Sequence, residues 1–115
     1  MKVKRTRVRT QSHGAAPTLG YNVLKHNTSG SYNTAIGRHS LYDNTTGIRN
    51  TAIGQLALYE NTTGSYNIAI GDSALRNNLE GQLNTVLGRL AGVSVKGSNN
   101  VLLGYRAGYS ESGSN

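Results

Sequence analysis

The side chains best suited to chemistry are few and scattered in this chain. The three histidines, His13, His26 and His39, fall at irregular spacing, and Asp and Glu together number only 5. Metal sites and acid–base sites need several such side chains brought to one place. Cysteine is absent, which excludes disulfides, thiolate nucleophiles and cysteine metal sites. We therefore expect no catalytic residue, no metal site and no cofactor.

Other patterns that mark enzymes are also missing. The serines lie in turn-like segments without a surrounding His and Asp pattern, and the glycines do not form a G-x-G-x-x-G phosphate loop. The absence of Phe and Trp leaves few large side chains for a thick core. These observations favour a binding or structural protein over an enzyme.

Positive charge is concentrated at the N-terminus. The chain has 12 Lys and Arg against 5 Asp and Glu, for a net charge of +7, but the 106 residues after position 9 carry only +2 of it. β-Branched residues between the cations favour a strand that pairs with the sheet edge of a partner. A disordered solubilising tail and nucleic-acid binding are the alternatives, the latter weakened because no aromatic residue interleaves. The five cations of this arm are Lys2, Lys4, Arg5, Arg7 and Arg9.

The hydropathy of the chain limits where it can act. No run of about 18 apolar residues exists, so we expect no membrane insertion. The N-terminal cations are not followed by an apolar stretch, so we expect no secretory signal and synthesis in a host cytoplasm. The composition predicts two parts: a basic arm and linker at residues 1–19, and a repeat domain at residues 20–115.

Five copies of one short motif organise the repeat domain. The motif reads N-T-A-I-G twice, then N-I-A-I-G, N-T-V-L-G and N-V-L-L-G, and its closing glycines step by 17, 17, 17 and 16 residues. A fixed period of this kind is typical of repeat architectures. The repeat positions are Asn33, Ile36, Gly37, Asn50, Ile53, Gly54, Asn67, Ile70, Gly71, Asn84, Leu87, Gly88, Asn100, Leu103 and Gly104.

A 17-residue period predicts a β-solenoid. It is too short for the two helices of a helical repeat, and two glycines per period oppose helix formation. The motif alternates in the manner of a strand, so two short strands and two tight turns would fill one coil. Successive coils would then lie about 4.8 Å apart and bond through their backbones. The fold class predicted is therefore all-β, a parallel β-roll of about five coils.

The columns created by this stacking predict which residues face inward. We expect the apolar site before the closing glycine, the leucine four residues after it and the small residue between them to form the inner wall. The motif asparagines can form a ladder of side-chain amides, and the glycines allow positive φ at the corners. A wall this thin leaves one chain marginally stable, which favours self-association. The leucine column is Leu24, Leu41, Leu58 and Leu75, and the small column is Val23, Ser40, Ala57, Ala74, Ala91 and Ala107.

The motif N-T-A-I-G, followed by a small residue, a leucine and then N-T-T-G, resembles a known group of repeats. It resembles the head repeats of trimeric autotransporter adhesins and, more closely, related repeats of phage tail-fibre and other virion proteins. The resemblance covers Gly20 to about Gly108 and implies a left-handed parallel β-roll packed as a homotrimer. Unlike the adhesins, the sequence shows no signal peptide, heptad stalk or membrane anchor. Unlike long tail fibres, it shows no C-terminal chaperone domain.

These features predict a non-enzymatic phage virion protein. We expect a trimeric capsid decoration (cement) protein or a short head or tail fibre, located in the virion. The arm would attach it to the major capsid protein or a tail component. The alternative is an adhesin head or receptor-binding fibre segment that recognises glycans or proteins of a host surface. An ice-binding solenoid is disfavoured because Ile68 interrupts its threonine column.

The tyrosines, which are the only aromatic residues, fall into three of the predicted columns. Ordinary stacking between coils is the favoured interpretation, and binding of sugars or protein partners is the alternative. The columns are Tyr21 with Tyr105, Tyr32 with Tyr66, and Tyr42 with Tyr59 and Tyr109.

Overall fold

One sheet of seven short strands runs through the chain. A computed structural model describes residues 8–9 and 18–109, and these residues contain no helix. The strands follow one another in chain order; β2 to β7 are parallel, and β1 pairs antiparallel with β2. The strands are β1 (Val8–Arg9), β2 (Thr18–Leu19), β3 (Thr34–Ile36), β4 (Thr51–Ile53), β5 (Ile68–Ile70), β6 (Thr85–Leu87) and β7 (Val101–Leu103).

The strand register confirms the predicted parallel β-solenoid of about five coils. Ala35 pairs with Ala52 and Ala52 with Ala69, so each motif residue lies beside its equivalent in the next coil. Each coil contains one three-residue strand, whereas two strands per coil were expected. Turns make up the remainder and are held between coils, as where the Leu41 N–H donates to the Ala57 carbonyl at 3.0 Å.

The strands face the opposite way from our prediction. The alternating side chains of β3 to β5 bury the central alanine completely, while the isoleucine after it is only half-buried. In the last two coils the equivalent Leu87 and Leu103 are 47% and 65% exposed. The prediction that Ile36, Ile53, Ile70, Leu87 and Leu103 line the inner wall is therefore wrong. Because side chains alternate with a period of two, a shift of one position exchanges the two faces.

The other two predicted wall columns are confirmed. The leucine column from Leu24 to Leu75 is buried, and so are Ser40, Ala57, Ala74 and Ala91, while Val23 and Ala107 pack against this core. Towards the C-terminus the large inward side chain comes from the strand instead of from the turn. Gly92 replaces the column leucine, and a Cβ there would lie 3.3 Å from Leu102 Cδ1, so the larger Leu102 of β7 fills that space.

The motif asparagines form the predicted ladder, and it is buried. Asn50 donates its backbone N–H to Asn33 Oδ1 at 2.9 Å and its side-chain amide to the Gly64 carbonyl at 2.8 Å. A buried amide is stable only when its donors and acceptor are paired. Asn67 and Asn84 repeat the contact to the preceding asparagine, with donor–acceptor distances of 3.0 Å. The ladder therefore joins neighbouring coils through both backbone and side chains.

A second asparagine ladder was missed because N-T-T-G also has the composition of a turn. Asn44 Nδ2 donates to Asn27 Oδ1, and Asn61 and Asn78 continue the series, each at 2.8 Å. The series stops at Asn78, because Val95 takes the next position in a coil one residue shorter. Within the part of the chain described, Asn78 Oδ1 is buried without a hydrogen-bond partner.

The two glycine columns serve different purposes. The motif glycines have positive φ, for example +135° at Gly71, as predicted for the corners. The intervening glycines do not; a Cβ at Gly64 would be 2.5 Å from the Gly81 carbonyl oxygen, so they permit close approach. Left-handed backbone also occurs at bulky residues such as Leu41 and Leu58, with φ of 48° and 52°. The buried leucine contacts offset that strain.

We predict that Gly71→Ala destabilises the fold by at least about 2 kcal/mol more than Gly104→Ala. Both residues have positive φ, so both variants carry backbone strain of about 1–2 kcal/mol. A Cβ at Gly71 would also lie 2.6 Å from the Gly88 backbone, whereas a Cβ at Gly104 meets nothing within 4 Å. Urea unfolding at one protein concentration measures the difference. Equal losses would contradict the tight stacking of coils.

Candidate functional site

The outward side of β3 to β7, here called the sheet face, is a continuous apolar surface. Three of its ten positions are threonine, seven are aliphatic and none is charged. Exposure is 42% at Ile68, 47% at Leu87 and 72% at Val101. Contiguous exposed apolar surface of this kind marks an interaction site. The sheet face comprises Thr34, Ile36, Thr51, Ile53, Ile68, Ile70, Thr85, Leu87, Val101 and Leu103.

An exposed column beside the sheet face adds aromatic surface. Tyr32 and Tyr66 are 54% and 47% exposed, and the Arg49 guanidinium carbon lies 4.9 Å from the Tyr32 ring centroid. Both tyrosines have positive φ, at 58° and 60°. The rings thus stand at the corners of two coils, where they extend the apolar surface.

The other side of each coil, here called the turn face, is polar. It is formed by the outward residues of the turns that follow each motif glycine, because the small residue and the leucine of the same turns point inward. Cations, carboxylates, histidines and tyrosines all occur on it. In the first three coils these side chains are Tyr21, Lys25, His26, Arg38, His39, Tyr42, Asp43, Tyr59 and Glu60.

Aromatic rings of the turn face cluster around His39. Its ring centroid lies 5.1 Å from that of Tyr42, 5.8 Å from Tyr21 and 6.0 Å from Tyr59. The Tyr42 and Tyr59 rings are stacked at 5.1 Å and inclined by only 11°, which confirms the predicted stacking between coils. The alignment of tyrosines in the sequence indicated that contact. The sequence pattern did not indicate that His39 lies among these rings, because its position depends on the geometry of the turn.

Two acidic residues of the turn face are aligned, yet they are not equivalent. Asp43 and Glu60 are 17 residues apart, and Asp43 Oδ1 lies 2.9 Å from His26 Nδ1 in the preceding coil. Asp43 therefore has a side-chain hydrogen bond to the neighbouring coil. The His26 side chain is 51% exposed and that of Asp43 38%, so water screens the pair and it contributes little to stability.

The pKa of His39 lies below its ordinary value. Burial disfavours the charged imidazolium, and the positive charges of Arg38 and Lys25 lower the pKa further. The His39 ring and the cationic groups of Arg38 and Lys25 therefore share one part of the turn face. Between Thr18 and Tyr109 the ion pairs are His26 with Asp43 and Arg89 with Asp72, so neither Arg38 nor Lys25 has a carboxylate partner there.

Most of the predicted arm lies outside the described residues. Lys2, Lys4, Arg5 and Arg7 belong to the part not described, and Arg9 lies in β1. The backbone of β1 pairs with β2 of the same chain, Arg9 opposite Thr18. Attachment of the arm to a partner stays a prediction.

No constellation of metal ligands forms within residues 18–109. His, Asp and Glu side chains of the described residues do not gather in threes, and none of these residues belongs to a helix able to cross a membrane. Comparisons of the chain with protein-family models, curated proteins and solved structures found no match. The features of this chain that bear on function are therefore its two faces and its sequence pattern.

We predict that lowering the pH destabilises the protein through His39. Because the folded state has the lower pKa, the unfolded chain binds more protons at pH values below its own histidine pKa of about 6.5. The free energy of unfolding is therefore highest above that pH and falls as the pH decreases through the folded pKa. His39→Gln should lose less stability between pH 7.5 and pH 5. NMR titration of the His39 ring, with urea-unfolded protein as reference, would contradict this if the two pKa values coincide.

Proposed function

We propose that three copies of the chain associate through the sheet face into a trimer of β-rolls. The uncharged surface of seven aliphatic and three threonine side chains carries this proposal. The interior of one copy is thin, consisting mainly of alanine, leucine and asparagine, so burial between copies would add the missing apolar contacts. The resemblance of N-T-A-I-G repeats to trimeric rolls favours three copies over two.

The trimer would act as a non-enzymatic structural protein of a phage virion, as a capsid decoration protein or a short fibre. The charge distribution supports this role, because an arm with five cations in nine residues precedes a body that carries little net charge. Such an arm can bind an acidic surface of the major capsid protein or a tail component. The proposed location is the virion.

Receptor recognition is the second candidate function, and the turn face favours it. If the sheet face is buried between copies, the turn face with its aromatic cluster points outward in all three. A repeated outward cluster suits an adhesin head or receptor-binding fibre segment, because three weak sites bind a surface together with increased avidity.

We predict that Ile68→Asp prevents trimer formation. Ile68 is 42% exposed in one copy, so a charge there is tolerated by the isolated chain but not inside an apolar interface. Gln55→Asp on the turn face introduces the same charge and should leave the trimer intact. Light scattering at low micromolar concentration measures the mass, and circular dichroism monitors folding. A monomeric parent protein, or a trimeric Ile68→Asp variant, would contradict the proposal.

Deletion of residues 1–10 should leave a folded trimer that no longer joins the particle. Residues 1–7 precede β1, which pairs with β2 of the same chain, and if extended they would span about 23 Å, enough to reach a partner and pair with its sheet edge. Occupancy on purified particles measures the effect, and charge-preserving Lys4→Arg serves as the control. Full incorporation of the truncated trimer would place the attachment site on the roll.

A further inference from the structure

The turn face of the first three coils has the composition of a ligand site. Tyr21 is 66% exposed beside His39, and the stacked pair Tyr42 and Tyr59 adjoins them. Aromatic rings provide flat apolar surfaces, and their neighbours provide charge and hydrogen-bonding groups. An exposed ring platform with polar neighbours can stack on the apolar face of a ligand while the neighbours hydrogen-bond to it.

Among the described residues, the cations of this cluster have no carboxylate partner. Arg38 and Arg89 occupy the same column, three coils apart, but the Arg89 Nε lies 3.9 Å from Asp72 Oδ2. Within residues 18–109, Arg38 and Lys25 have no such carboxylate, and both act electrostatically on His39. Bringing cations together without a counter-charge is unfavourable, so an anionic group would be attracted there.

The remaining side chains indicate what carries the anionic group. Asp43 and Glu60 lie on the same face, so positive charge is confined to the part beside Lys25 and Arg38, where it suits a single anionic group rather than a row of them. Nucleic acids depend on several phosphate contacts, which the two cations Lys25 and Arg38 do not supply. Sugar hydroxyls, in contrast, donate hydrogen bonds to carboxylates and to Asn22, whose side chain lies 3.4 Å from His39 Nε2. The apolar face of a sugar ring can stack on tyrosine.

We propose that Tyr21, Lys25, Arg38, His39 and Tyr42 form a binding site for an acidic saccharide, one whose ring bears a carboxylate. The carboxylate binds between Lys25 and Arg38, and the sugar ring contacts Tyr21 and Tyr42. This inference names the ligand class of the receptor-recognition function proposed above and therefore rests on it. Binding is measured on the purified protein, so its failure is distinguishable from failure of the structural role, which is measured on particles.

The test titrates the purified full-length protein with four probes and records NMR shifts of the His39 and Tyr42 rings. Sialyllactose and tri-galacturonate carry carboxylates from two different sources, lactose is the neutral control, and oligothymidylate tests nucleic acid. We expect at least one acidic saccharide to bind with a millimolar or lower Kd and to shift the His39 ring. Lactose should bind at least about tenfold more weakly.

Two matched variants locate the site. Arg38→Gln should weaken binding of the acidic saccharide at least about tenfold, while Arg89→Gln, in the same column but beside Asp72, should leave the Kd unchanged. Circular dichroism confirms folding, and the ring shifts of the unaltered protein locate the ligand independently of any variant. Equal effects of the two variants would overturn the proposal. So would binding of oligothymidylate alone, or no saccharide shift at about 10 mM.

Discussion

The buried amide ladders are the constraint on which the rest of the structure depends. Each ladder asparagine donates to a backbone carbonyl and accepts from the next coil, as Asn67 Oδ1 does from the Asn84 N–H at 3.0 Å. A second set of contacts converges on the neighbouring coil, where three successive N–H groups from Thr28 to Gly30 donate to the Thr45 carbonyl. One coil thus satisfies many of its polar groups through its neighbours. Where the period shortens by one residue, the motif ladder continues from Asn84 to Asn100, but in the second ladder Asn78 Oδ1 has no partner within the described chain.

The ladders also explain why the apolar residues of the strands point outward. Asn33 and Ala35 lie on the same side of β3, because side chains alternate along a strand. Once the asparagine must face inward to reach the next coil, the alanine faces inward with it. The isoleucine is then directed to the sheet face. A requirement of backbone hydrogen bonding therefore creates an apolar exterior, which self-association would cover.

Much of this fold could be predicted from the sequence, because stacking repeats every local feature five times. The 17-residue period, the parallel coils, the buried leucine column and the corner glycines with positive φ all followed from spacing. The direction of Ile53 did not follow, since a period of two defines two faces and hydrophobicity selected the wrong one. The left-handed backbone at Leu41 also contradicts its propensity and depends on packing. The cluster at His39 depends on how the turn brings separate columns together, and the arm lies largely beyond the described residues.

The division between inward and outward positions determines where function can vary. Inward positions are constrained by packing and corner glycines by their positive φ, so they repeat with little change from coil to coil. Outward positions are free to differ, and single departures within a column change the local chemistry. Asp72 lies between Gln55 and Arg89 in its column and pairs with the arginine, whereas Arg38, two coils before Asp72 in the same column, has no carboxylate partner among residues 18–109. His39 has no histidine above it, because Leu56 follows in its column. Specific recognition is therefore expected where the outward columns lose their regularity, which on this chain is the turn face of the first three coils.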